Sequence, residues 1–181
     1  SGGAQRQLVI LARELKRAGY DVGVFHYGES EAMARVLDGT GVPIISLARR
    51  GMPRFLIAAA ALLKLLHLRP KRLVSFIDAA NILAGLYSKL SGSTWVPSER
   101  SLSIGPPRAK DRLWRRFLYR SASAVTCNSH AQLHWVRSHF ASLNSRSIYV
   151  GNAVGDEYLS KHSAQHPPRS PFRFLVLGRV A

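Results

Sequence analysis

The chain has 181 residues, 46% of them hydrophobic and 20% charged, which excludes a disordered or fibrous polymer and allows a sizeable core. A single cysteine excludes any internal disulfide. Lys plus Arg number 26 against 10 acidic residues, a formal charge of +16, so an anionic partner is expected: nucleic acid, an acidic membrane surface or a phosphorylated substrate.

The chain opens Ser1-Gly2-Gly3, directly before a helical pattern over residues 4–18. Ala4, Leu8, Leu11, Ala12, Leu15 and Ala18 recur at helical spacing as one apolar stripe, and Gly19 supplies a left-handed stop. A short strand follows over 21–27, a helix over 29–37 and a strand over 42–47. Pro53 then opens an apolar helix reaching about residue 66. Strand 72–77, helix 79–90 and strand 94–99 continue the alternation. After a Ser/Gly/Pro-rich loop over 101–107 come helix 108–120, strand 123–128, helix 130–140 and strand 146–150. Strands in regular turn with helices predict an α/β fold, a parallel sheet with helices on both faces. No strand precedes the opening glycines, so the first strand of the sheet is expected to be missing from the chain. Residues 1–159 form the first domain. The polar, Pro-rich stretch 160–171 reads as a linker, and 172–181 as the first strand of a second domain.

Four stretches are placed to carry chemistry. Glycines before a helix N-terminus let an anion approach unpaired N–H groups, although the same residues make an ordinary tight turn. Ser98, Glu99 and Arg100 close a strand, where open parallel sheets bind ligands; a surface ion pair at a loop start reads equally well. Asp78 ends another strand, where its carboxylate would take a proton from a substrate hydroxyl, but the N-cap of the next helix is the preferred reading. Asn152 lies between two glycines after the last strand, in a turn suited to a hinge or a ligand-facing loop. His130 and His134 share a helix face, yet no Glu or third ligand accompanies them, so no metal site is expected. Cys127, in an apolar strand, reads as inert core.

Two helices bear on membranes. Residues 53–68 are apolar almost all round but too short to span a bilayer and contain Lys64, so burial against the sheet is expected. In helix 108–120, Leu113, Trp114, Phe117 and Leu118 cluster on one side, with Arg112, Arg115 and Arg116 leaning to the other. That pattern suits either an interfacial helix, with Arg112, Trp114, Arg115 and Arg116 as membrane contacts, or a core-packed helix with a solvated basic face.

The opening GGAQRQLVILARELKRAGYDV resembles the GGAER-x-x-x-x-LA-x-x-L-x-x-x-GH-x-V start of family 4 glycosyltransferases, which have the two-domain GT-B fold. VSFIDAANILAGL, VPSERS, AVTCNSHAQLHWV and YVGNAVGDEYL are similar to later segments of the same Rossmann-like N-terminal domain, and FLVLGRVA to the start of its C-terminal partner. The resemblance implies an enzyme that moves a sugar from a UDP- or GDP-linked donor to an acceptor, with retention and without a bound cofactor or metal. It implies an N-terminal domain that holds the acceptor, with Ser98, Glu99, Arg100 and Asn152 at the cleft. Gly2 and Gly3 would face the donor diphosphate or sugar, and Arg179 would neutralise the departing diphosphate. Gln5 stands where the family often has Glu, Gly155 interrupts the Asn-Gly-x-Asp pattern, and Asp78 replaces the strand-end His of some members. The Glu-pair motif of the donor domain lies outside these residues, so the chain alone is expected to be inactive.

The charge then points to a lipid-linked or saccharide acceptor at an anionic membrane, with the protein cytoplasmic and peripheral on the inner face. A basic nucleic-acid-binding module is the alternative of another class; it lacks a helix-turn-helix, an RNP-type strand and zinc spacing, so no nucleic-acid partner is expected. A nucleotide-sugar epimerase of the same fold is the third reading. Sequence implies nothing about oligomeric state.

Overall fold

The computed structural model describes residues 3–26, 37–46, 53–100 and 106–154. The expected helix over 29–37 lies outside these apart from Leu37, as do the linker, the strand over 172–181, Gly2 and Arg179.

Helix α1 spans Gly3–Arg17. It ends in a Schellman turn: Gly19 takes φ 86°, its N–H bonds the Lys16 carbonyl at 3.0 Å, and the Tyr20 N–H reaches Leu15 at 3.1 Å. Strands β1 (Val24–His26) and β2 (Ile44–Ser46) pair in parallel. The buried side of α1 centres on Val9 and Ala12, which pack with Val24, Leu37 and Val42. The helix is therefore turned from the expected stripe: Ala18 is exposed, and Ala4, Leu11 and Leu15 are half-buried. Leu8, Val22 and Ile44 pack at the edge of this cluster.

Helix α2 (Arg54–Leu68) follows Pro53, whose φ of −57° suits a helix start, and stops at Arg69 in the left-handed region. Its Ala61 and Leu65 pack on Leu83 and Tyr87 of helix α3 (Asp78–Ser91). Phe25 of β1 and Leu73, on the strand that follows, also pack against this cluster, so the expected burial is met on one side only: Phe55 and Leu63 stay 71% and 68% exposed.

Strands β3 (Arg72–Phe76), β4 (Thr94–Glu99), β5 (Val125–Cys127) and β6 (Ser147–Tyr149) form a parallel sheet in sequential order. Helices α3, α4 (Ala109–Leu118) and α5 (His130–His139) intervene, and α5 is N-capped by Ser129, whose hydroxyl accepts the Gln132 N–H at 3.1 Å. One core cluster joins Ala84 of α3, Leu118 of α4 and Val136 of α5 to Trp95, Val125 and Cys127, so all three helices cover the same face. Trp95 is fully buried and edge-on to Tyr119 at 5.5 Å. Gly85 is required beneath it: a Cβ there would come within 2.8 Å of the indole. Buried Cys127 has its thiol pushed up to about 12, first by burial and then by the Glu99 charge, which matches inert core.

Candidate active-site cleft at the strand ends

The carboxyl ends of β3, β4 and β6 meet the first turns of α1. Side chains alternate along β4, so Ser98 and Arg100 share one face while Glu99 points to the other. On the first face, the Arg100 guanidinium donates to the Ser98 hydroxyl at 3.0 Å and to the Asn152 side-chain oxygen at 2.7 Å, and lies 4.4 Å over the Phe76 ring. Gln7 clamps the same turn to α1: its amide nitrogen donates to the Ala153 carbonyl and its oxygen accepts the Ala153 N–H, both at 2.8 Å. Three residues named from sequence, Ser98, Arg100 and Asn152, are thus brought together.

Arg100 is half-buried, and burial lowers its guanidinium from the ordinary range. Among the described residues it has no carboxylate partner; a ring and two neutral oxygens hold it. A cation so placed favours an incoming anion.

Glu99 behaves otherwise, and its placement at the cleft is corrected. It is 3% exposed, on the side covered by α4. Arg115 donates to it at 2.9 Å through Nε and 3.3 Å through Nη2, and the Tyr119 hydroxyl donates to it as well. From Tyr119 a relay runs inward: Asn81 donates to the phenol at 3.3 Å, Ser75 donates to Asn81 at 2.7 Å, and the Trp95 indole N–H donates to Ser75 at 2.8 Å. Burial opposes charge on Arg115, but the hydrogen bonds and charge of Glu99 outweigh it and hold the group above its ordinary value. Burial, then Glu99, keeps Tyr119 well above the usual phenol range, a neutral donor.

Arg115 also corrects the membrane reading. It is 5% exposed, so it belongs to the inner face of α4 and not to a surface stripe. Leu113 and Phe117 take the outer face instead, at 72% and 55% exposure. Satisfying the buried Glu99 charge sets the rotation of α4 and turns two apolar residues outward.

Arg115 reaches the cleft through Asp78, whose Oδ1 accepts from Nη2 at 2.8 Å. Asp78 is the first residue of α3 and not its cap: the Ile77 carbonyl accepts the Asn81 N–H, so Ile77 holds the cap position with no side-chain bond. Ile77 takes φ 71° and ψ 155°, a region almost confined to glycine, and strain of order 1–3 kcal/mol is held at this strand end. Asp78 stays largely exposed. Burial raises its carboxyl above the usual range, Arg115 acts in the opposite direction, and Glu99 and Asp111 add to the rise.

Gly3 opens α1, and a Cβ there would meet nothing within 4 Å. Among the described residues, packing does not require glycine at this position. His130 stacks on Tyr149 at 4.2 Å. Among the described residues no group of three or more His, Cys, Asp or Glu is gathered for a metal, and no helix is long and apolar enough to cross a membrane. Gln7, Asn81, Tyr119 and Ile77 were not singled out from sequence. Their partners lie up to 146 residues away, and no local pattern signals them.

The sequence profile described as Glycosyltransferase Family 4 matches residues 1–157. The chain belongs to Glycosyltransferase Family 4. No curated protein matches it by sequence. Among solved structures, it is similar to a glycosyltransferase from Rickettsia africae ESF-5, at 13% identity and TM-score 0.69 over 91% of this chain and 43% of that one. Anabaena Alr3699/HepE, crystallised with UDP and glucose, is 16% identical with TM-score 0.67, over 84% of this chain and 41% of that one. MurG from Acinetobacter baumannii is 16% identical with TM-score 0.58, over 87% and 44%. These likenesses establish the fold, an α/β arrangement of parallel strands flanked by helices as in GT-B glycosyltransferases. The chain spans about two-fifths of the length of each structure.

Proposed function

We propose that the whole protein transfers a sugar from a UDP- or GDP-linked donor, with retention, to a lipid-linked or saccharide acceptor, and that this chain holds the acceptor side of the site. The observation that carries this reading is Arg100: a half-buried cation held by neutral groups where four segments converge. An anionic group on donor or acceptor supplies the charge it lacks. Gly2 and Gly3 present backbone amides to the donor diphosphate, and Arg179 stabilises negative charge as the diphosphate departs. Asp78, anchored by one oxygen, receives the acceptor hydroxyl and its proton; a carboxyl raised above the usual range is a better base for that task. Ser98 and Asn152 hold Arg100 in place. The neighbour crystallised with UDP and glucose supports a uridine-linked donor.

The formal +16 charge supports a site of action at an anionic membrane surface, on its cytoplasmic side. The test is product analysis of the whole protein with UDP- and GDP-sugars. Transfer to a lipid or saccharide acceptor, reduced at least tenfold in Arg100→Gln, is expected. An epimerised sugar nucleotide with no transfer overturns the reading.

A further inference from the structure

The outer side of α4 and the 3-10 turn that follows it (Tyr119–Ser121) hold a second basic region, which does not include Arg100. Arg112, Arg116 and Arg120 follow one another a helical turn apart and form one wall of a cavity of about 430 Å³. His139, Phe140 and Ser142, at the end of α5, form the other. The His139 ring is fixed by the Trp135 carbonyl at 2.9 Å from Nδ1. Arg146 ties the two walls together, donating to the carbonyls of Ala122 at 2.7 Å, Ser142 at 3.3 Å and Arg120 at 3.4 Å. The backbone of the two walls is thus held together, and three exposed arginines project from it.

The arginines around it divide sharply. Arg115, Arg137 and Arg146 are each hydrogen-bonded within the protein. The guanidinium groups of Arg112, Arg116 and Arg120 have no hydrogen-bond or ion-pair partner among the described residues. Like charges one turn apart on a helix repel and destabilise it. Three in succession with no internal counter-charge form a site that an external anion completes.

The neighbouring stripe of the same helix identifies the anion. Leu113 and Phe117 stand exposed beside the arginines, and Lys89 of α3 lies 4.4 Å over the Phe117 ring. Leu90, also on α3, is 66% exposed. A soluble phosphate would gain nothing from this apolar stripe. A phospholipid would use both, with its phosphate among the arginines and its acyl chains against Leu113 and Phe117. We propose that Arg112, Arg116 and Arg120, with the end of α5, bind the phosphate of an anionic phospholipid while Leu113 and Phe117 enter the acyl layer. This names the site behind the membrane reading above, but it rests on geometry independent of sugar transfer.

The experiment is flotation of the full chain with phosphatidylcholine vesicles, with and without phosphatidylglycerol. Arg112→Gln/Arg116→Gln/Arg120→Gln is compared with a charge-matched triple on exposed positions at the foot of β3, Arg69→Gln/Lys71→Gln/Arg72→Gln. The first is expected to weaken binding to phosphatidylglycerol vesicles about a hundredfold, and the second only severalfold. Leu113→Ser/Phe117→Ser, which leaves charge unchanged, should weaken it at least tenfold and serves if the arginine triple fails to fold. Equal loss in the two triples means diffuse attraction and overturns the proposal. So does pyrophosphate or oligonucleotide binding that depends on the three arginines in a chain that ignores vesicles. Absent sugar transfer with vesicle binding intact overturns only the enzymatic reading.

Discussion

The inner and outer sides of α4 use the same residue type for opposite ends. Arg115 faces inward and is saturated: it spans two carboxylates, one buried, and is joined through Tyr119 to a relay reaching Trp95. Arg112 and Arg116, within a turn of it, face outward with no partner among the described residues. The comparison teaches that the net charge of +16 is not one property. Part of it organises the cleft from behind, and part is presented to the surroundings. Composition counts both alike; only the rotation of a single helix separates them.

Five variants test that contrast. The largest effect is expected from Arg115→Met, which leaves Glu99 buried without its cation; a loss of about 3–5 kcal/mol is predicted by urea denaturation. Arg112→Gln/Arg116→Gln, by contrast, should leave stability unchanged or raise it by a few tenths of a kcal/mol through relieved repulsion. Tyr119→Phe comes next. It removes a donor from Glu99 and a partner from Asn81, and should cost about 1–3 kcal/mol in the same assay.

Ile77→Gly is smaller and opposite in sign to ordinary experience. Relief of the strained backbone offsets the entropy cost of glycine, so stability should hold or rise by about 1 kcal/mol. A loss of several kcal/mol would mean that the strand end is not strained as described.

The smallest effect concerns pH. The Asp78 carboxyl is raised in the folded protein, so its contribution is fully present below the unfolded value and is lost as pH rises through the folded one. Asp78→Asn should therefore gain slightly in Tm relative to the parent as pH rises through the folded carboxyl range. An unchanged difference across that range would contradict the assigned direction.

Much of the fold was legible because its signals are local. Gly19 stops α1, Pro53 starts α2, and the strands fall where apolar runs alternate with helical stripes. The family was legible too, in the opening glycines and the stripe behind them. What sequence misassigned depends on contacts between distant segments. Arg115 reads as a surface residue until Glu99 and Asp78 are brought to it from strand ends 16 and 37 residues away. Asp78 reads as a cap because Asp favours caps, yet the carbonyl of Ile77 takes that position. The rotation of α1 toward Val9 was likewise set by β1 and β2, which its own periodicity does not contain.

In the proposed function Arg100, which has no carboxylate partner among the described residues, receives the anionic group of a substrate. The most direct measurement is calorimetric titration of the whole protein with UDP and GDP sugars and with phosphorylated acceptor, comparing the parent with Arg100→Gln. At least a tenfold loss of affinity for one of these ligands is expected, with Tm changed by no more than a few degrees. Unchanged affinity for all of them in a folded Arg100→Gln protein would contradict it.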